Sequence, residues 1–235
     1  MITLYTLSFS LIGNSFQHPV STQSRPINGM SSRMLPPKAE TTDWELVVSK
    51  GGINIYTRPN LNSGVDEVRI TTQIKSSLQG IMALLGDVRE YPNWVFKCIM
   101  AKRLKTVSEQ EYYYYTQSDM PFPMKDRDLV IHSRQWQDKN GVVYSRSEGV
   151  PDFISDDENM VRIKSFEANW KIAPAKDGTV DLDYTVKIDP GGNIPAWVSN
   201  LVITKGPLKT MENLLEFVSQ QKYQQAKDLS YINEK

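Results

Sequence analysis

The sequence predicts an α+β domain in which one antiparallel sheet is covered on a single face by a long C-terminal helix. Three observations carry that prediction. First, Val180-Asp181-Leu182-Asp183-Tyr184-Thr185-Val186-Lys187-Ile188 alternates strictly between apolar and polar residues, the pattern of a strand with one covered and one wet face. Second, Ile194, Trp197, Val198, Leu201, Val202, Leu208, Met211, Leu214, Leu215 and Val218 recur at helical spacing directly after it, which supplies the covering element. Third, about eight strand-like segments precede that helix and only two short helices interrupt them early. Such an order belongs to α+β and not to alternating α/β architecture.

Taken in order, Val20 to Glu40 is rich in Ser, Thr, Pro and Gln and reads as a disordered linker. Ile2 to Ile12 is mildly apolar, without a preceding Lys or Arg or a small-x-small cleavage pattern, so residues 1–40 read as a signal segment or as a linker. Trp44 to Val48 is too short to assign. Gly51-Gly52 separates it from a strand at Ile53 to Thr57, and Val68, Ile70, Thr72 and Ile74 alternate with polar residues in the next strand, with a hairpin over Pro59 to Gly64 joining the two. Ser77 to Gly86 carries a cap, a helical apolar pattern and a terminal glycine, the marks of a short helix, and Asp87 to Trp94 adds a further turn or two. Strands follow near Met100 to Val107, Glu111 to Gln117, Asp128 to Gln137, Val142 to Ser147, Met160 to Ile172 and Thr179 to Ile188. The corner Asp189-Pro190-Gly191-Gly192-Asn193-Ile194-Pro195 has the turn and capping residues that convert a strand into a helix. Gly206-Pro207 predicts a kink in that helix, because proline removes a donor and crowds the preceding turn.

Composition narrows the function classes. The 235 residues, 40% of them hydrophobic, support one sizeable core. Lys plus Arg and Asp plus Glu both number 27, so no global field draws in nucleic acid. Cys98 is the single cysteine, which excludes an intrachain disulfide and a multi-cysteine metal centre. His18 and His132 are the only histidines, too few for an ordinary histidine-based zinc or catalytic site. No apolar run is long enough to predict a transmembrane helix.

The string Asp189-Pro190-Gly191-Gly192-Asn193-Ile194-Pro195-Ala196-Trp197, together with Pro121-Phe122-Pro123-Met124-Lys125-Asp126-Arg127-Asp128, resembles the StAR-related lipid-transfer (START) domain over roughly Thr42 to Val218. The resemblance implies a helix-grip fold, with a curved antiparallel sheet wrapped around the long C-terminal helix and one lipid held in a tunnel between them. It divides the chain into residues 1–40, a lipid-binding domain over 41–221 and a polar C-terminal tail over 222–235 that frays. It also implies a soluble lipid-binding protein that carries a single lipid or other hydrophobic molecule, with passing membrane contact, no nucleic-acid partner, no cofactor and a monomeric state.

The tunnel lining expected on this basis comprises Trp94, Tyr113, Tyr115, Tyr184, Trp197, Leu201, Leu208 and Met211, with Met100, Phe166 and Trp170 as further interior candidates. For each of them an ordinary core position is the competing reading. Arg127 opens a strand and matches the family arginine that orients a lipid's polar end. Its guanidinium keeps its proton, so if buried it requires an acceptor; Glu111, opening the preceding strand, is the expected partner, and exposed pairing with Asp126 or Asp128 is the alternative. Alternation places Arg127, Leu129, Ile131 and Ser133 on one face and His132 on the other. The loop Pro151 to Asn159 holds four carboxylates without the glycine or spacing of a calcium loop, and its Phe153 and Ile154 are candidates for membrane contact. No catalytic or metal residue is assigned. Two other functions remain open at this stage: a cyclase- or hydrolase-like enzyme on the same fold, and an interaction module with a filled core.

Overall fold

A computed structural model describes residues 43–60, 65–192, 194–195, 198–199 and 201–234, apart from the side chain of Val202. Residues 1–40 and Trp197 therefore lie outside the described residues, as does the tip of the expected hairpin at 61–64.

Among the described residues ten strands form one sheet: β1 (Glu45–Lys50), β2 (Ile53–Arg58), β3 (Glu67–Ile74), β4 (Cys98–Thr106), β5 (Glu111–Ser118), β6 (Arg127–Gln137), β7 (Val143–Gly149), β8 (Val161–Arg162), β9 (Ser165–Pro174) and β10 (Val180–Asp189). Their order is β1-β2-β3-β10-β9-β7-β6-β5-β4. All pairs on this path are antiparallel, and β8 lies parallel to the start of β6. The ambiguous segment after Trp44 is thus an edge strand, and the strand expected over Met160 to Ile172 divides into β8 and β9. Between β3 and β4 come α1 (Leu78–Gly86), a 3-10 turn (Val88–Glu90) and α2 (Tyr91–Trp94). Ser77 caps α1 by accepting the Gly80 N–H at 2.9 Å.

The alternation in β10 has the consequence it predicts. Val180 and Leu182 are buried, Tyr184, Val186 and Ile188 continue the same face, and Asp181, Asp183 and Thr185 point the other way, where Asp183 receives a bidentate pair from Arg69 at 2.9 and 2.6 Å. The main core joins that face to α1, to Trp94 and to Met211, Leu214 and Val218 of the C-terminal helix. A second cluster, built from Tyr112, Tyr114, Leu129, Ile131 and Ile163, fills the β5–β6 end.

At Gly206-Pro207 the C-terminal helix changes its hydrogen-bonding pattern. Pro195 O accepts the Val198 and Ser199 N–H groups at 2.9 and 3.2 Å, a π-helical turn occupies Leu201–Lys205, and α3 (Gly206–Val218) follows without a break. The missing proline donor is accommodated by widening one turn, where i→i+5 bonding replaces i→i+4.

The tail does not fray. After α4 (Gln221–Gln224) the chain crosses back over α1, and Tyr223 and Ile232 are buried in the main core. Gln79 holds it on both sides: its Nε2 donates to Leu229 O and Ile232 O at 3.1 Å each, and its Oε1 accepts the Leu229 N–H at 3.0 Å. Tyr231 donates to Gln135 Oε1 at 2.6 Å, and Asn233 N to Gln137 Oε1 at 2.7 Å. The polar composition of this segment hides the apolar residues Tyr223, Leu229, Tyr231 and Ile232 that anchor it.

Candidate ligand cavity

Between the inner face of β3 and β10, the Val95–Lys97 turn, the loop after β5 and the C-terminal helix lies a cavity of about 260 Å³. Its walls are mainly apolar. Ile70, Tyr184, Val186 and Ile188 come from the sheet, Ile163 from the segment before β9, and Val198, Leu201, Pro207 and Met211 from the helical roof. Such a space suits an apolar ligand with a few fixed polar groups.

Arg127 is the principal polar group of the wall. It is the first residue of β6, only 4% exposed, with Ser118 of β5 as its strand partner. Its Nε donates to Pro190 O at 3.2 Å, its Nη2 to Gly191 O at 3.1 Å and its Nη1 to Lys125 O at 2.5 Å. The guanidinium thus ties the loop before β6 to the Pro190-Gly191 corner, which is why the two sequence motifs act as one structural unit. Burial pulls its pKa below the ordinary arginine value, and the charge of Asp126 opposes that shift. Lys97 and Asp119 form an ion pair beside it, and Thr210 of α3 accepts the Phe96 N–H at 3.1 Å. Burial also pushes the Tyr184 phenol well above its usual value, and its hydroxyl donates to nothing among the described residues.

Of the residues expected in the lining, Arg127, Tyr184, Leu201 and Met211 border the cavity. Trp94 and Leu208 belong to the main core next to it; Trp94 is buried with its Nε1 unpartnered among the described residues. Glu111 is not the partner of Arg127. It sits at the opposite end of β5, opposite Arg134, and its Oε1 lies 2.7 Å from His132 Nε2. Tyr113 and Tyr115 also point away from the cavity. Tyr113 is stacked between His132 and Phe153 at 4.3 and 4.4 Å, and the Tyr115 hydroxyl approaches Met160 Sδ at 3.7 Å. Their neighbours Tyr112 and Tyr114 face inward, opposite Ser133 and Ile131. Met100 pairs with Gln117 on the edge strand, whereas Phe166 and Trp170 are interior and Trp170 packs on Tyr184 at 4.1 Å.

Sequence reasoning missed the Val95–Lys97 turn and the Ser118–Pro121 segment, both of which border the cavity. Their proximity follows from the β4–β5 pairing, in which Cys98 faces Ser118, a register that no local pattern announces. Phe153, taken as a membrane candidate, is engaged on Tyr113, while Phe122, next to the cavity-lining Met120 and Pro121, is 94% exposed.

A ten-stranded antiparallel sheet closed by a C-terminal helix over an apolar cavity defines a helix-grip protein of the lipid-binding class. The sequence matches the START domain family over residues 30–224, and this chain belongs to that family. It is similar to an uncharacterised protein of Pseudomonas aeruginosa, with 30% identity over 172 residues that span 73% of this chain and 85% of the relative. It is also similar to the phosphatidylcholine transfer protein of Homo sapiens, with 27% identity over 180 residues, 72% of this chain and 81% of the relative. A crystal structure of a STAR-related lipid transfer protein from Xanthomonas axonopodis superimposes with a TM-score of 0.70 at 28% identity, covering 75% of this chain and 99% of that one. Human StAR-related lipid transfer protein 5 shares the fold at 15% identity and a TM-score of 0.66, over 77% of this chain and 89% of that one. Among the described residues no helix is long and apolar enough to cross a membrane.

Proposed function

We propose that this chain binds one lipid, or a similarly hydrophobic small molecule, non-covalently in the cavity and transfers it between membranes. The observation that carries the reading is the apolar space of about 260 Å³ roofed by Leu201, Pro207 and Met211. Removing an alkyl chain from water into such a space is favourable by about 0.8 kcal/mol per methylene. In this reading Tyr184, Leu201 and Met211 contact the apolar part of the ligand and Arg127 its polar end, while Trp94 and Leu208 support the wall from behind. The transfer proteins among its relatives support the same conclusion.

Exchange requires a route to a membrane. The exposed Phe122 ring adjoins Met120 and Pro121 at the cavity, so insertion of that ring would bring the opening to the lipid surface. The protein acts as a monomer, and its working unit comprises residues 41–234. Binding is favoured over catalysis because the charged groups of the wall are already engaged: Lys97 with Asp119, and Arg127 with backbone carbonyls. The test is transfer of a fluorescent lipid from donor to acceptor vesicles by the purified chain. A rate that rises in proportion to protein supports the proposal, and a rate equal to the protein-free control refutes it.

A further inference from the structure

Tyr184 stands in the cavity wall with a hydroxyl that no described residue engages, and this narrows the ligand class, taking the lipid-binding reading above as the starting point. The alternation of β10 turns Tyr184, Val186 and Ile188 to one face. All three border the cavity, as does Ile70, the strand partner of Tyr184 on β3. The other three side chains are hydrocarbon, so the Tyr184 oxygen is the one side-chain polar atom in this part of the wall. Trp170, its strand partner on β9, packs against the ring at 4.1 Å.

Part of the Tyr184 surface is accessible, yet desolvation alone pushes its phenol well above the ordinary tyrosine value. Both hold when the accessible surface faces an internal space instead of the exterior. The oxygen itself opens on that space. Among the described residues Trp94 Nε1 is the one fully enclosed side-chain polar atom without a hydrogen-bond partner, so the Tyr184 hydroxyl, which lacks a partner too, is not walled in.

Other polar groups of the wall are engaged within the protein: Arg127 donates to three carbonyls, Lys97 pairs with Asp119, and Thr210 Oγ1 accepts the Phe96 N–H. A tyrosine hydroxyl removed from water ordinarily finds a partner, and this one has an O–H to donate. No charged group contributes to the shift of its phenol. An anion beside it would therefore lie uncompensated against an apolar wall, whereas an uncharged oxygen would be matched.

We propose that the Tyr184 hydroxyl donates a hydrogen bond to an uncharged oxygen of the bound lipid, an ester carbonyl or a hydroxyl, and so selects lipids that carry such an oxygen in their buried part. The ring contacts the apolar surface around that oxygen.

The test compares the full chain with Tyr184→Phe, which removes this oxygen and keeps the ring. Each protein is incubated with vesicles holding equal amounts of dipalmitoyl phosphatidylcholine and its dihexadecyl ether analogue, and separately with ether-lipid vesicles holding equal amounts of hexadecanol and hexadecane. Native mass spectrometry of the isolated chain then gives the ratio carried within each pair, and comparing the two proteins cancels differences in partition. In Tyr184→Phe one ratio should fall about tenfold, the worth of one hydrogen bond. A fall in ester over ether identifies a carbonyl, and a fall in hexadecanol over hexadecane a hydroxyl. No fall in either pair overturns the proposal, as does an equal loss of both members of a pair. Because the hydroxyl has no partner among the described residues, the empty variant should melt cooperatively at a temperature no lower than the unaltered chain. A lower one would mean that the oxygen is bonded within the protein, which overturns the assignment. An unaltered chain that takes up no lipid from any of the vesicles overturns the lipid-binding reading itself.

Discussion

Phe96 and Gly206 meet where the turn before β4 abuts the C-terminal helix, so closely that a methyl group on Gly206 would stand 3.1 Å from the Phe96 ring and 2.9 Å from the Leu201 carbonyl oxygen. The contact joins two walls of the cavity and sits directly after the π turn. Two polar contacts strengthen it, Phe96 N to Thr210 Oγ1 at 3.1 Å and Asn213 Nδ2 to Trp94 O at 3.0 Å. The start of α3 is therefore fixed to the Trp94–Lys97 segment, and glycine is required at its first position.

Gly206→Ala should force the Leu201 carbonyl or the Phe96 ring to move. Overpacking of this kind costs about 1–3 kcal/mol, and each kcal/mol lowers the melting temperature of a domain this size by about 2–4 °C. Calorimetry checks the fall; an unchanged melting temperature would show that the π turn yields freely.

The Gln79 clamp is buried at the start of α1. Gln79→Ala removes three hydrogen bonds to the tail and leaves buried groups unpaired, at a cost of about 2–4 kcal/mol. Hydrogen exchange should accelerate at Leu229 and Ile232 in particular. Protection unchanged at those amides would remove the tail from the core.

Asp128 and Arg162 form a buried bidentate pair at 3.0 and 2.9 Å, with Arg162 also donating to Pro151, Ile154 and Ser155 carbonyls. Asp128→Ala leaves that guanidinium with the exposed Asp156, 3.2 Å from its Nη1, as its remaining counterion, and should cost up to about 3–5 kcal/mol. Lys97→Ala breaks a half-exposed pair and should cost about 1 kcal/mol or less. Comparable losses in denaturant titrations of the two variants would contradict this ranking.

How much of this was legible in the sequence depended on polarity contrast. In β10 the alternation of Val, Leu, Tyr, Val and Ile with Asp, Thr and Lys fixes which face is inner, and the structure agrees. In β5 the run Tyr112-Tyr113-Tyr114-Tyr115 offers no contrast, so its parity is set only by pairing with β6, where Ser133 and Ile131 lie opposite Tyr112 and Tyr114. Glu111 and Arg127 both open a strand, but antiparallel pairing puts the openings of neighbouring strands at opposite ends of the sheet. Arg127 itself was found because its motif is distinctive, while its carbonyl partners at Pro190 and Gly191 depend on a contact 63 residues away.

Alkaline conditions should destabilise the fold. Burial pushes the Cys98 thiol up to about 11 and raises the Tyr114, Tyr184 and Tyr231 phenols. Each group holds its proton more tightly when folded, so its contribution is complete below the unfolded-state pKa, about 8.5 for Cys and about 10 for Tyr, and declines as pH rises toward the folded value. Melting temperatures measured from pH 7 to 11 should fall above about pH 9, and the Cys98 thiol should resist alkylation until the protein unfolds. A melting temperature that rises over that range would contradict the assignment.

The claim that one lipid occupies the space beneath α3 is tested most directly by native mass spectrometry of the chain after incubation with mixed-lipid vesicles, set beside a Val186→Trp variant whose indole fills the cavity. The account predicts one lipid per chain in the unaltered protein and an empty, cooperatively folded variant. An unaltered protein that emerges empty, or a variant that carries lipid equally well, would contradict it.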